Sequence, residues 1–222
     1  MHPPRPAVLL LGFGLAALPA AASAAPLETA GASQCNIRAF AVDRDPKGTN
    51  LRSAPRADAP IIGHMAPLES IAPDTKVGVE FYIVGSKDGW LLIRDPDPRD
   101  GLKFDPANAA DGRGWVSGKL ITVNLRNAEL RTAPRRSAPL VAELKGPKWG
   151  PDWFGVRIIH ACQDKYIEVT GKMIDGTLAD GPRLYDVLTD DKLKGKFVRG
   201  WSWSPCANQL TTCDPAARGE PE

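Results

Sequence analysis

Histidine is scarce in this chain: three in 222 residues, one of them His2 at the extreme N-terminus. That leaves His64 and His160, too few for a histidine-built metal or catalytic cluster. The four cysteines, Cys35, Cys162, Cys206 and Cys213, form no C-x-x-C pair, which argues against a zinc site. Asp95, Asp97, Asp100, Asp105 and Asp111 do not follow the D-x-D-x-D-G order of a calcium loop, and the stretch reads as a solvated loop. Charge of one sign is also lacking: 28 basic against 26 acidic residues give +2, with no basic excess to hold nucleic acid. Nucleophilic catalysis would have to pair His160 with Cys162, and a disulfide would remove that thiol. The chain reads as non-catalytic, with no metal and no cofactor.

Beyond the N-terminus no apolar run is long enough to cross a bilayer. The N-terminus itself reads as an export signal over residues 1–24. Arg5 supplies the positive region, Ala7 to Leu18 the apolar run, and Ala22-Ser23-Ala24 the A-x-A cleavage site. No cysteine follows that would carry a lipid, and no arginine pair marks the twin-arginine route. The mature chain is expected to begin at Ala25, exported to the periplasm or secreted, with its charge lowered from +2 to about +1 by loss of Arg5.

What the chain does have is a repeat. Asn50-Leu51-Arg52-Ser53-Ala54-Pro55-Arg56 to Met65 returns, 79 residues later and without a gap, as Glu129-Leu130-Arg131-Thr132-Ala133-Pro134-Arg135 to Leu144. Such self-similarity indicates an internal duplication. Glycine and proline, 21 each, favour turns and short strands. Strands are expected over 37–42, 77–84, 90–93, 114–117 and 120–123, with Lys87-Asp88-Gly89 as a hairpin turn. The second copy runs over the same ground. Residues 156–161 align with 79–84, 165–169 with the Trp90 strand, and Gly200-Trp201-Ser202-Trp203 with Gly114-Trp115-Val116-Ser117. Residues 95–112 and 171–197 read as insertions, the latter with a short helix near 184–193. The expected organisation is a flexible lead-in over 25–36, a first unit over 37–123, a second over 124–213 and a flexible tail over 214–222.

Three landmarks recur in order: the N/E-L-R-S/T-A-P loop, a hairpin leading into an aromatic, and a closing G-W strand. This resembles the bacterial SH3-like (SH3b) domain family. Asn50, Arg52, Ser53, Pro55, Gly89, Trp90, Gly114, Trp115 and Val116 stand at the family positions. Residues 128–206 match in a more divergent form, with Glu129 for the Asn and Tyr166 for the Trp. The resemblance implies an all-β protein of two small SH3-like barrels in tandem. It implies a non-catalytic envelope module that recognises peptidoglycan or a peptide. The alternative is a structural or regulatory protein that binds another envelope protein through the aromatic segment Trp149–Phe154.

The residues that could contact a ligand each have a plainer reading. Arg52 and Arg131 could meet an acidic group, or brace their own loops through backbone carbonyls. Tyr82, Trp90 and Trp115 could line a groove, or fill a small core that depends on aromatic area. Trp149, Trp153, Trp201 and Trp203 could form an exposed binding patch or a lid over the second core. Two disulfides are expected in an exported chain. Either Cys206 pairs with Cys213, or Cys162 pairs with Cys206 and Cys35 with Cys213; the sequence leaves this open.

Overall fold

A two-residue hairpin at Asp88-Gly89 shows how directly local chemistry sets this fold. Both residues have positive φ, 52° and 80°, the geometry that matches the twist of antiparallel strands. The computed structural model of the chain describes residues 25–97, 112–127, 129–143, 154–173, 193 and 195–210. Among these there is no α-helix. The strands are β1 Ile37–Ala41, β2 Thr49–Arg52, β3 Ile61–Met65, β4 Glu69–Ala72, β5 Thr75–Val77, β6 Glu80–Lys87 and β7 Trp90–Asp97. They continue with β8 Gly114–Ser117, β9 Ile121–Thr122, β10 Glu129–Arg131, β11 Leu140–Glu143, β12 Phe154–Gln163, β13 Tyr166–Met173 and β14 Phe197–Trp203. Alternation explains β1: Ile37, Ala39 and Ala41 are buried while Arg38 and Phe40 are half-buried. The segments expected as the 184–193 helix and the Trp149–Trp153 patch lie outside the described residues, apart from position 193.

The sheets are antiparallel. One has the order β3-β2-β8-β7-β6-β1-β9, the other β11-β10-β14-β13-β12, and β4-β5 form a separate hairpin. The second order repeats the first five strands of the first one for one. Neither large sheet closes on itself, so the expected pair of closed barrels gives way to an all-β arrangement of open sheets: β3 and β9 are the edges of one, β11 and β12 of the other. The registers correspond as well. Lys87 pairs with Trp90 and Ser86 with Leu91; Gln163 pairs with Tyr166 and Cys162 with Ile167. This places Cys162 at the position of Ser86 and corrects the expected alignment of 156–161 by one residue. A slip of one exchanges the faces of a strand.

Both sheets feed one hydrophobic core. Leu51, Phe81, Ile93 and Val116 from the first and Leu130, Ile159, Ile167 and Val169 from the second belong to the same buried cluster. The sheets meet where β6 and β12 approach. The Cys162 amide donates to Ser86 Oγ at 2.8 Å, and Ser86 Oγ donates to the Cys162 carbonyl at 3.3 Å. Nearby, the Ile159 amide donates to the Gly118 carbonyl at 2.8 Å, and a Cβ on Gly118 would lie 1.8 Å from the Ile159 oxygen. Only glycine permits that approach.

Both ends of the described chain reach across this seam. Residues 25–34, expected as a flexible lead-in, are tied down. The Ser33 amide donates to the Ser86 carbonyl at 3.0 Å, the Cys35 amide to Val84 at 3.2 Å, and the Asp164 amide to Gln34 at 2.8 Å. Cys35 forms a disulfide with Cys162, 127 residues away. That excludes the pairing of Cys162 with Cys206. Cys206 is disulfide-bonded as well, and the only cysteine left in the chain is Cys213, outside the described residues. At the other end, Asn124 and Cys206 exchange two backbone bonds of 2.9 Å. The Gln209 amide group both accepts from the Gly78 amide at 2.7 Å and donates to the Gly78 carbonyl at 2.9 Å.

A disulfide closing so long a loop stabilises mainly by restricting the unfolded chain. Replacing Cys35 and Cys162 together by Ser is expected to lower unfolding stability by about 2–4 kcal/mol. Chemical denaturation of the double variant checks this; an unchanged midpoint would contradict it.

Candidate functional site

The repeated loop has one geometry in both copies, set by its arginine. Arg52 Nη1 donates to the Ala59 carbonyl at 2.7 Å, and Arg131 Nη1 donates to the Ala138 carbonyl at 2.8 Å. Around each, the backbone bonds also correspond. Ser53 donates to Pro60 at 2.9 Å and Thr132 to Pro139 at 3.0 Å; Arg56 donates to Ala54 and Arg135 to Ala133, both at 2.8 Å. Ala59 and Ala138 turn inward and are buried. Each arginine follows a bulge that leaves the preceding leucine, Leu51 or Leu130, fully buried. Arg131 has an additional tie to Glu129, with Nε and Nη2 at 3.0 and 2.5 Å from Oε2. The bracing role is therefore present at both positions.

The G-W strand lies beside this loop. Arg52 pairs with Trp115 and Arg131 with Trp201. Continuing outward, Trp115 is next to Leu92 and Trp201 is next to Glu168. The ladder places these residues in one transverse row on each sheet, since cross-strand partners stand side by side. The rows end at Ile61 and Leu140, which occupy the same repeat position and are 51% and 45% exposed. Sequence reasoning did not single out this exposed apolar pair; the 79-residue offset carried the signal.

The tryptophans diverge in exposure. Trp115 is fully buried, with Nε1 donating to the Glu28 carbonyl at 2.7 Å. Trp201 and Trp203 are half-buried, and the Arg136 guanidinium lies 5.8 Å above the Trp203 ring, a cation–π contact. Trp90 is half-buried on the first sheet. Tyr82 stands apart from both rows, between the guanidinium groups of Arg38 and Arg94 at 5.7 and 5.0 Å from its ring. Arg38 is held by Glu80 at 2.7 Å, and Arg94 is paired with Asp95. The structure thus brings Arg52 to Trp115, Arg131 to Trp201 and Arg136 to Trp203, and leaves Tyr82 in its own arginine clamp. Trp149 and Trp153 lie outside the described residues.

Among the titratable groups, His160 departs from its ordinary behaviour. Burial lowers its pKa, the Arg199 charge lowers it further, and Glu168 partly opposes them. Its Nε2 is 2.8 Å from Thr170 Oγ1. Cys162 cannot act as its nucleophilic partner because its sulfur is in the disulfide. No group of three or more metal-ligating side chains occurs among the described residues. A wide depression of about 1060 Å³ lies where the sheets meet, lined by Arg44, Asp45, Asp74, Lys76, Lys119 and Arg157 among others. None of the residues singled out from the sequence lines it.

Comparison with known proteins gives no match to a family model, a curated protein or a solved structure.

Replacing Arg52 or Arg131 by Ala is expected to cost about 1.5–3 kcal/mol of stability, the range for a hydrogen bond from a charged donor. Thermal and denaturant unfolding of each variant check this, and unchanged stability would remove the bracing role. For His160, the folded state binds its proton less readily than the unfolded state. Its contribution is present above pH 6.5, the ordinary value, and is lost as pH falls toward the lower folded value. An NMR titration should give a His160 midpoint below 6.5, and His160→Gln should flatten the acid side of the stability profile. A midpoint at or above 6.5 would contradict the assignment.

Proposed function

We propose that this chain is an exported, non-catalytic binding module of the bacterial cell envelope, built on two SH3-like units and recognising peptidoglycan or a peptide. The observation that carries this reading is the doubled arginine-braced loop. In each copy the same guanidinium-to-carbonyl bond, 2.7 or 2.8 Å long, sets a tryptophan beside the arginine and an exposed aliphatic residue at the row's end. Rings and aliphatic edges next to fixed polar groups suit a peptide or a sugar–peptide surface.

The Cys35–Cys162 disulfide fits an oxidising compartment, which supports export. Among the described residues no helix is long and apolar enough to cross a membrane.

Purified protein lacking residues 1–24 is expected to sediment with isolated cell-wall sacculi at low and moderate salt. Recovery in the supernatant under both conditions would exclude wall binding.

A further inference from the structure

The two transverse rows differ in what lies on them. On the first sheet the row Ile61–Arg52–Trp115–Leu92–Gly85 follows from the ladder. Residues 28–33 of the same chain lie against it. Glu28 is seated through both of its backbone groups: its amide donates to the Ser53 carbonyl at 2.8 Å, and its carbonyl accepts from Trp115 Nε1 at 2.7 Å. Its carboxylate meets Arg56 at 3.2 Å and Lys87 at 3.5 Å. The segment then runs to Gly85, where an added Cβ would lie 2.7 Å from the Ser33 oxygen. This cover is what buries Trp115.

The second sheet has the corresponding row, Leu140–Arg131–Trp201–Glu168–Ala161. Each group that holds Glu28 recurs except Lys87, whose ladder position is taken by Gln163. Trp201 stands for Trp115, the Thr132 carbonyl for that of Ser53, and Arg135 for Arg56. No described residue takes the place of residues 28–33. Among the described residues Trp201 Nε1 has no hydrogen bond, Arg135 has no ion pair, and Trp201 is half-exposed. A donor, an acceptor and a cation thus recur at the repeat positions that on the first sheet hold Glu28, just before its segment turns at Ala30-Gly31.

We infer that the Trp201 row of the second sheet is a docking groove for a peptide segment of a different protein. That segment carries a carboxylate side chain placed to meet Arg135. One residue of it exchanges backbone bonds with the Thr132 carbonyl and the Trp201 indole, as Glu28 does on the first sheet. The inference deepens the binding-module reading, and rests on it, by naming the ligand class and the sheet that takes it. Main-chain groups supply the affinity common to all sequences, and the arginine selects for the acid.

The test uses a synthetic peptide with the sequence of residues 25–33, Ala-Pro-Leu-Glu-Thr-Ala-Gly-Ala-Ser, titrated into the purified protein lacking residues 1–24. Calorimetry gives the affinity and amide NMR shifts give the location. Saturable binding with shifts at Thr132, Arg135 and Trp201 is expected. Trp201→Phe keeps the ring and removes the donor, and should weaken binding about fivefold, one net hydrogen bond. Arg135→Gln should weaken it comparably, and a peptide with Gln in place of Glu should then bind both proteins alike.

No saturation at millimolar peptide overturns the inference, as does indifference to both Trp201→Phe and Arg135→Gln. A dimer that dissolves in Trp201→Phe overturns it too, by showing a second copy as the occupant. Sacculus retention separates the two readings. Retention without peptide binding overturns this groove and keeps wall recognition; peptide binding without retention does the reverse.

Discussion

A guanidinium that reaches a carbonyl seven residues along the chain sets the shape of each copy. Arg52 and Arg131 turn the loop back on itself, and the turn has three results that appear together in both copies. The bulge before the arginine leaves a leucine in the core, a small alanine closes the inside of the loop, and the following strand leaves with an aliphatic side chain outward. Lysine could not do this work, because a single ammonium group lacks the planar fork that also takes the Glu129 carboxylate in the second copy. The glycine that precedes Trp115 and Trp201 belongs to the same device. Added Cβ atoms at Gly114 and Gly200 would lie 2.7 and 2.9 Å from the Cβ atoms of Leu51 and Leu130.

The second organising contact is the seam between the sheets. Ser86 and Cys162 occupy the same position in their copies and bond to each other there. Their difference in side chain is functional in the structural sense. The hydroxyl serves as donor and acceptor across the seam, while the sulfur takes a covalent partner from the N-terminal segment. Ser33 adds a third group at this point, 2.6 Å from Ser86 Oγ. The polar cluster sits beside a core shared by both sheets, which gives the packing one preferred registration.

Much of this was legible because the controlling contacts are local. The arginine-braced loop closes within seven residues and appears twice, so its boundaries can be read from the text of the chain. Asp88-Gly89 announces its turn, and the alternation of β1 announces its buried face. Three features were not legible, each for a physical reason. Residues 25–34 are small and polar, and what orders them is main-chain bonding to residues far away in sequence. The alignment of β12 on β6 was displaced by one because both strands are bulged twice, at Glu80/Tyr82 and Ile83/Gly85 and at Val156/Ile158 and Ile159/Ala161, so neither keeps a regular period of two. The different exposure of Trp115 and Trp201 was hidden because neither tryptophan decides it; Glu28 does, from outside the repeat.

The clasp formed by the two ends has a consequence for the two copies. The segment before β1 is spent on Asp164 of the second sheet, and Gln209, after the last strand, is spent on Gly78 beside the first. A duplication usually leaves modules that can be copied again, like beads on a thread. Here each copy holds the other's loose end, so neither can be cut away without stripping its partner of main-chain contacts.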